Sequence, residues 1–151
     1  MQRPLLTRWQ AVKRILRYTS GTSDFGLHLT KPLSYELTAY CDADWASDPD
    51  DRKSTLGFTI FFRSNLVAWK SKKQQIISRS STEAEYRSVA NVTAKLTWLH
   101  YLFSELHIRM SLPPIIWCDN LSTIMLIQNH VLHAKTKHIE LDLYFFREKI
   151  L

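Results

Sequence analysis

The spacing of apolar residues divides the first half of the chain into one helical and several strand-like segments. Apolar side chains recur every three or four positions over residues 4–18, which predicts an amphipathic helix. Residues 36–42 alternate between apolar and polar side chains, which is typical of a strand with one face in the core. The runs 57–62 and 66–70 predict a β-hairpin, and 74–78 is a candidate extension or repeat of its second strand.

The second half of the chain has the pattern of a long helix between two strands of one sheet. Residues 81–107 predict the helix, and the short apolar run 113–119 predicts a buried strand. Further helices are expected over 120–130 and 137–150. Two strands joined by such a helix pair in parallel through a right-handed crossover. The candidate caps of the long helix are Ser80, Ser81 and Thr82, and its expected apolar stripe consists of Val89, Val92, Leu96, Leu99 and Leu106.

This order of elements predicts an α/β fold with a mixed sheet, in which three antiparallel strands precede a parallel strand and helices flank the sheet. A length of 151 residues corresponds to one compact domain. The chain lacks a run of about 18 apolar residues and an apolar leader, so neither a membrane span nor secretion is expected. Cys41 and Cys118 stand in apolar runs, which indicates small buried side chains in a reducing, cytoplasmic compartment.

The charge distribution favours a polyanionic partner. The net charge is +6, and basic residues dominate 8–17, 52–79 and 135–137. Ser54 and Thr55 are candidates for hydrogen bonds to a nucleic-acid backbone, and the alternative is that they only occupy a turn. The candidate phosphate contacts are Lys70, Lys72, Lys73 and Gln74, and the alternative for them is a strand edge that lysines keep soluble.

Two aspartates follow apolar runs that are expected to be neighbouring strands. Asp42 ends the first predicted strand and Asp119 ends the fourth. Because parallel strands end at the same edge of a sheet, both carboxylates are expected there. Their mutual repulsion would be relieved by a divalent cation, and oxygen ligands favour Mg²⁺. Each aspartate taken alone is more typical of a helix cap or a turn, and it is the combination with the helix-start glutamate that favours a metal site.

The third acid is expected on the long helix, where Glu83 and Glu85 compete. Residues two apart on a helix point to different faces. Steps of three or four from Glu85 lead to Val89 and Val92 on the apolar stripe, whereas steps from Glu83 follow a more polar line. This periodicity favours Glu85 as the acid that points at the sheet. Glu83 stays open as the alternative, its other role being a favourable charge at the helix N-terminus.

Several motifs together resemble a known family. The stretches "YCDADWASDPDDRKSTLGF", "AWKSKKQQIISRSSTEAEY", "IIWCDN" and "HAKTKHIELDLYFFREKI" resemble the ribonuclease H domain of copia-type LTR retrotransposon Pol polyproteins. The upstream "RWQAVKRILRYTSGTSDFGL" is similar to the tail of the reverse transcriptase and connection region. The resemblance implies that residues 1–35 belong to that tail and residues 36–151 to a ribonuclease H-like domain.

The resemblance also implies an activity. Such domains hydrolyse the RNA strand of an RNA–DNA hybrid with two Mg²⁺ ions, which Mn²⁺ can replace. The catalytic and metal-binding positions correspond to Asp42, Glu85 and Asp119 in this sequence. The expected partners are the hybrid and the other Pol domains, within a cytoplasmic virus-like particle.

The sequence departs from the family pattern at its C-terminus. The last strand and helix of the family, with a fourth acid, would follow Leu151, so a C-terminally truncated domain with reduced or no activity is expected. Glu140 and Asp142 are candidate replacements and are interpreted mainly as helix-surface acids. His133 and His138 are interpreted as part of a basic face. The alternative functions are an inactive nucleic-acid-binding relic of the same fold and, less favoured, an integrase-like polynucleotidyl transferase.

Overall fold

The computed structural model describes residues 5–128 of the chain. The predicted helix over 137–150 lies outside these residues, as do His133, His138, Glu140 and Asp142. Among the described residues, no helix is both long and apolar enough to span a lipid bilayer. The elements in chain order are α1 (Leu6–Gly21), β1 (Leu37–Asp44), β2 (Thr55–Phe62), β3 (Asn65–Lys73), α2 (Ser81–Glu105), β4 (Ile115–Trp117) and α3 (Leu121–Gln128).

The four strands form one mixed sheet in the order β3-β2-β1-β4. β1 pairs with β2 and β2 with β3 in antiparallel fashion, whereas β4 pairs with β1 in parallel. Tyr40 lies opposite Trp117 in the parallel pair, and Cys41 lies opposite Phe58 in the antiparallel one. The predicted α/β fold, an RNase H-like mixed sheet with flanking helices, is confirmed.

The core lies between α2 and the inner face of the sheet. Alternate residues of β1 are buried, which confirms the alternation predicted for this strand. These residues pack against the apolar stripe of α2, whose members recur at helical spacing. The alternation of β1 and the helical period of α2 thus bury residues in one shared interface. Each large side chain buried in this way contributes about 1.5–3 kcal/mol. The core residues that β1 and α2 share include Leu37, Ala39, Cys41, Val89, Val92, Leu96 and Leu99.

Two predictions about α2 and β4 are wrong. Leu106 is 58% exposed because α2 ends at Glu105, and Phe103 is the buried residue in this last part of the helix. β4 is not a buried strand, because it forms an edge of the described sheet. Its residues Ile115 and Trp117 are exposed accordingly.

Residues 74–78 form a loop, which contradicts the prediction of an extended or repeated strand. The side chain of Gln74 determines the path of this loop. Its Nε2 donates to the carbonyl of Ala84 at 3.0 Å, and its Oε1 accepts from Ser78 Oγ at 2.8 Å. These bonds turn the backbone toward the start of α2, so the apolar pair Ile76 and Ile77 stays exposed.

The N-terminus of α2 is capped by Ser80, one of the three predicted candidates. Its Oγ accepts from the backbone N–H of Glu83 at 3.1 Å. Replacing Ser80 with Ala is expected to lower the free energy of unfolding by about 1 kcal/mol, because that N–H loses its partner. Ser81→Ala, at an exposed position one residue later, is the matched control and should change it by less than about 0.5 kcal/mol. Urea denaturation of both variants checks this, and equal effects would contradict the cap assignment.

Candidate active site

Asp42 lies on β1, two residues before the strand ends at Asp44. Its side chain is exposed, and its Oδ1 accepts from the backbone N–H of Ala43 at 2.7 Å. The main chain at this point is held from α2. Ser88 Oγ, which is fully buried, lies 2.9 Å from the carbonyl of Asp42 and 3.1 Å from that of Gly57. One side chain thereby joins α2 to β1 and β2 beside the aspartate.

Glu85 is the carboxylate of α2 that faces β1. Its side chain is only 6% exposed. Oε1 accepts from the backbone N–H of Ala43 at 3.1 Å. Oε2 is buried and has no hydrogen-bond donor among the described residues. A buried oxygen without a donor is costly, so this arrangement calls for a cation or a proton.

Asp119 stands two residues after β4 and is free of the capping role that the sequence left open for it. The neighbouring Asn120 is the cap of α3, because its Oδ1 accepts from Thr123 N–H at 2.9 Å. Thr123 Oγ1 in turn donates to the carbonyl of Thr82 at 3.2 Å. This bond fixes the start of α3 against the start of α2, and so places Asp119 near Glu85.

The acids meet at the carboxyl edge of the parallel pair. Ligand atoms of Glu85, Cys118 and Asp119 all lie within 4.8 Å of one another. Asp42 is not a member of this tight group, although its carboxylate lies close enough to that of Glu85 to raise the pKa of Glu85. In the described part of the chain, none of the three acids forms an ion pair with a basic side chain.

The electrostatics of the cluster act mainly on Glu85. Burial raises its pKa from 4.5 to about 7. The Ala43 N–H opposes this rise, whereas the carboxylates of Asp42 and Asp119 add to it. At neutral pH the cluster therefore holds closely spaced negative charge that a divalent cation would relieve.

Glu83, the alternative to Glu85, points elsewhere. Its Oε2 accepts from Arg79 N–H at 2.8 Å, and its Oε1 accepts from Arg87 Nη2 at 2.9 Å. Both oxygens are thus used at the helix N-terminus, which is the structural role that the sequence offered for this residue. Glu85 therefore contacts β1, whereas Glu83 contacts its own helix and the residue before its cap.

Comparison with known proteins shows that the chain is similar to one segment of larger polyproteins. It is 47% identical over 150 residues to the retrovirus-related Pol polyprotein from transposon RE2 of Arabidopsis thaliana, which covers 99% of the chain and 10% of that protein. Identity to the corresponding polyprotein from transposon RE1 of the same plant is 46% over 150 residues, again covering 99% of the chain and 10% of that protein. The chain is homologous to a segment of retrovirus-related Pol polyproteins.

A third relative supports this assignment. The Pol polyprotein from transposon TNT 1-94 of Nicotiana tabacum is 36% identical over 152 residues, which cover 99% of the chain and 11% of that protein. This Pol homologue therefore spans about a tenth of the length of the relatives it matches. No protein-family model matches it, and neither does a solved structure.

Sequence reasoning missed the part that Cys118 plays in the acid cluster of this Pol homologue. Its Sγ belongs to the group with Glu85 and Asp119. Burial raises the pKa of both cysteine thiols, Cys41 and Cys118. The sequence carries no signal for this position, because only the parallel register, which pairs residue 40 with 117, sets 41 beside 118.

A basic groove lies between β3 and α2. It has a volume of about 290 Å³, and its basic residues are Lys70, Lys72, Lys73 and Arg87. Lys73 is paired with Asp48 and with Asp51, the latter at 2.9 Å, so much of its charge is compensated. Lys70 Nζ donates to Asn91 at 3.3 Å. Lys72 is exposed, and it offers the most accessible charge of the three lysines.

Two of the residues expected to contact nucleic acid are almost fully buried. Ser54 is 0% exposed, and its Oγ accepts from Ala46 N–H at 3.1 Å. Gln74 is 6% exposed because of the bonds that shape its loop, although it still lines the groove. Thr55 is partly buried beside Ser47 Oγ at 3.1 Å and does not line the groove.

Proposed function

We propose that the chain is a ribonuclease H-type domain of a retrotransposon Pol polyprotein, which hydrolyses the RNA strand of an RNA–DNA hybrid. The observation that carries the proposal is the buried Glu85 carboxylate, which lies beside those of Asp42 and Asp119 with one oxygen lacking a donor. Together with homology to Pol polyproteins, this supports phosphodiester chemistry that depends on a divalent cation.

The residues present fit Mg²⁺. Asp42, Glu85 and Asp119 supply carboxylate oxygens at the edge of the sheet where ligands of α/β folds bind. Two bound ions would supply an activated water and neutralise charge on the scissile phosphate. The chain itself contributes preorganisation. Ala43 N–H fixes Glu85 Oε1, and Ser88 fixes the main chain of Asp42, so the ligands need little rearrangement.

The basic groove supports a nucleic-acid substrate. Lys70 and Lys72 present positive charge between β3 and α2, which suits phosphate contacts that position a duplex. Selection of RNA would rest on contacts to 2′-hydroxyl groups across a minor groove. The net charge of +6 adds a long-range attraction for either kind of duplex.

A second candidate is a module that binds the hybrid without cutting it. The observation in its favour is that Asp42 stands outside the tight group formed by Glu85, Cys118 and Asp119. A metal held by two of the three carboxylates would leave the site incomplete for catalysis. The basic groove would still bind the duplex.

A cleavage assay on a hybrid with a labelled RNA strand separates the two candidates. The nuclease candidate requires that the full chain cut the RNA strand with Mg²⁺ or Mn²⁺, even at a reduced rate, and stop when EDTA removes the metal. Asp42→Asn, which keeps the shape of the side chain, should reduce the rate by at least about a hundredfold. If the two proteins bind the hybrid and cut it equally poorly, the binding module is the correct assignment.

A further inference from the structure

Cys118 gives the acid cluster a ligand that the proposed Mg²⁺ chemistry does not use. Its Sγ lies within 4.8 Å of both a Glu85 oxygen and an Asp119 oxygen, which in turn lie within that distance of each other. Ligands around a tetrahedral Zn²⁺ ion lie about 3.5 Å apart. Side-chain adjustments of about 1 Å therefore suffice to close the three atoms around one ion.

A second observation marks this cluster as a binding site and distinguishes it from a chance group of acids. Glu85 is 6% exposed, and its Oε2 has no donor among the described residues. Two of its neighbours in the cluster, Asp119 and Cys118, offer a carboxylate and a thiol. Asp119 is left without the capping role, which Asn120 performs. A buried carboxylate with an oxygen that lacks a donor, in a side chain grouped with two further ligands, is the environment that a cation satisfies.

The mixed donor set decides which cation fits. A thiolate is a soft ligand that selects Zn²⁺ and its chemical relatives, whereas Mg²⁺ takes oxygen ligands. We infer that Glu85, Cys118 and Asp119 form a site for a thiophilic divalent cation of the Zn²⁺ class. As the metal–sulfur bond forms, the thiol of Cys118 releases its proton to solvent. Three protein ligands leave the fourth tetrahedral position to water.

Cys41 lies near this site without joining it. Its Sγ donates to the carbonyl of Trp117 at 3.6 Å. It is not a member of the group whose atoms lie within 4.8 Å of one another. It therefore provides a matched control of the same residue type.

The site shares Glu85 and Asp119 with the proposed Mg²⁺ ligands, so occupation by Zn²⁺ would exclude Mg²⁺ from them. This consequence for catalysis rests on the proposed function. The binding itself does not, because it depends only on the geometry of the three side chains. A binding experiment with a spectroscopic readout therefore distinguishes failure of this inference from failure of the nuclease proposal.

Co²⁺ is the probe, because a four-coordinate site with a thiolate gives it a sulfur-to-metal charge-transfer band. Titration of the full chain under reducing conditions is expected to produce this band at one equivalent, and Zn²⁺ but not an excess of Mg²⁺ should remove it. Cys118→Ser should lose the band and Cys41→Ser should keep it. Absence of the band in the wild type, or its survival in Cys118→Ser, would overturn the inference.

Asp119→Asn provides a second test that does not depend on the fold tolerating a change at Cys118. Its side chain is exposed, so the fold should persist, which circular dichroism checks. The variant is expected to bind Co²⁺ at least about tenfold more weakly while retaining the charge-transfer band at saturation. Unchanged Co²⁺ affinity would show that the metal lies elsewhere and would also overturn the inference.

Discussion

Replacing Glu85 with Gln is expected to reduce Mg²⁺-dependent cleavage of the hybrid by at least about a hundredfold and to raise the free energy of unfolding at pH 8 by about 1–2 kcal/mol. The two effects have one physical cause. At pH 8 Glu85 is a buried negative charge beside two further carboxylates. The neutral amide removes that repulsion and still accepts from Ala43 N–H, but it is a poor ligand for a divalent cation.

Glu83→Gln is the matched control, because it makes the same chemical change two residues earlier on α2. Glu83 is as buried as Glu85, but its carboxylate is paired with Arg87 and accepts from Arg79 N–H. Loss of that charge should lower the free energy of unfolding by about 1–3 kcal/mol and leave cleavage largely intact. Cleavage assays and urea denaturation of both variants measure this contrast. If Glu83→Gln abolished cleavage and Glu85→Gln did not, the helix-face assignment would be wrong.

The sequence predicts those elements of the fold in which apolar residues recur at a regular spacing. β1 alternates strictly and α2 repeats its apolar residues every three or four positions, so both elements and their buried faces follow from the pattern. The same reasoning distinguishes Glu85 from Glu83, because only one of them continues the apolar line. The parallel pairing of β1 with β4 follows from the order of elements.

The features that the sequence does not predict depend on contacts between distant segments. Ser54 and Gln74 are polar residues typical of a protein surface, but hydrogen bonds to residues eight and ten positions away bury both. The run at β4 has the composition of a buried strand, yet it lies at an edge of the described sheet. Cys118 is of a residue type that is common in cores. Only the parallel register of β1 with β4, which sets it beside Cys41, brings it to Glu85.

The free energy of unfolding of the metal-free protein is expected to fall by about 2 kcal/mol as the pH rises from about 4.5 to about 7. The pKa of Glu85 is raised from 4.5 in the unfolded chain to about 7 in the folded one, chiefly by burial. Between these values the folded chain holds a proton that the unfolded chain has lost. Stability that is fully present below the lower value is therefore lost as Glu85 ionises. Solvent around the exposed Asp42 and Asp119 screens part of their repulsion with Glu85. The expected fall in the free energy of unfolding is therefore smaller than the full pKa shift of Glu85 would give.

Urea denaturation in EDTA at a series of pH values measures this slope, and Glu85→Gln isolates the contribution of Glu85 because the variant has no carboxyl group to titrate there. Between pH 4.5 and 7, the free energy of unfolding of the variant should change less with pH than that of the wild type. The two free energies should become equal near pH 5.

Mg²⁺ should stabilise the wild type, because it binds the ionised cluster. At a concentration a hundredfold above its dissociation constant, it should add about 2.7 kcal/mol to the free energy of unfolding above pH 7. Two results would contradict the predicted pH dependence: a wild-type free energy of unfolding that rises between pH 4.5 and 7 in EDTA, or a variant whose free energy has the same slope with pH as the wild type. Either would show that Glu85 is not the buried, destabilising negative charge on which the proposed metal site depends.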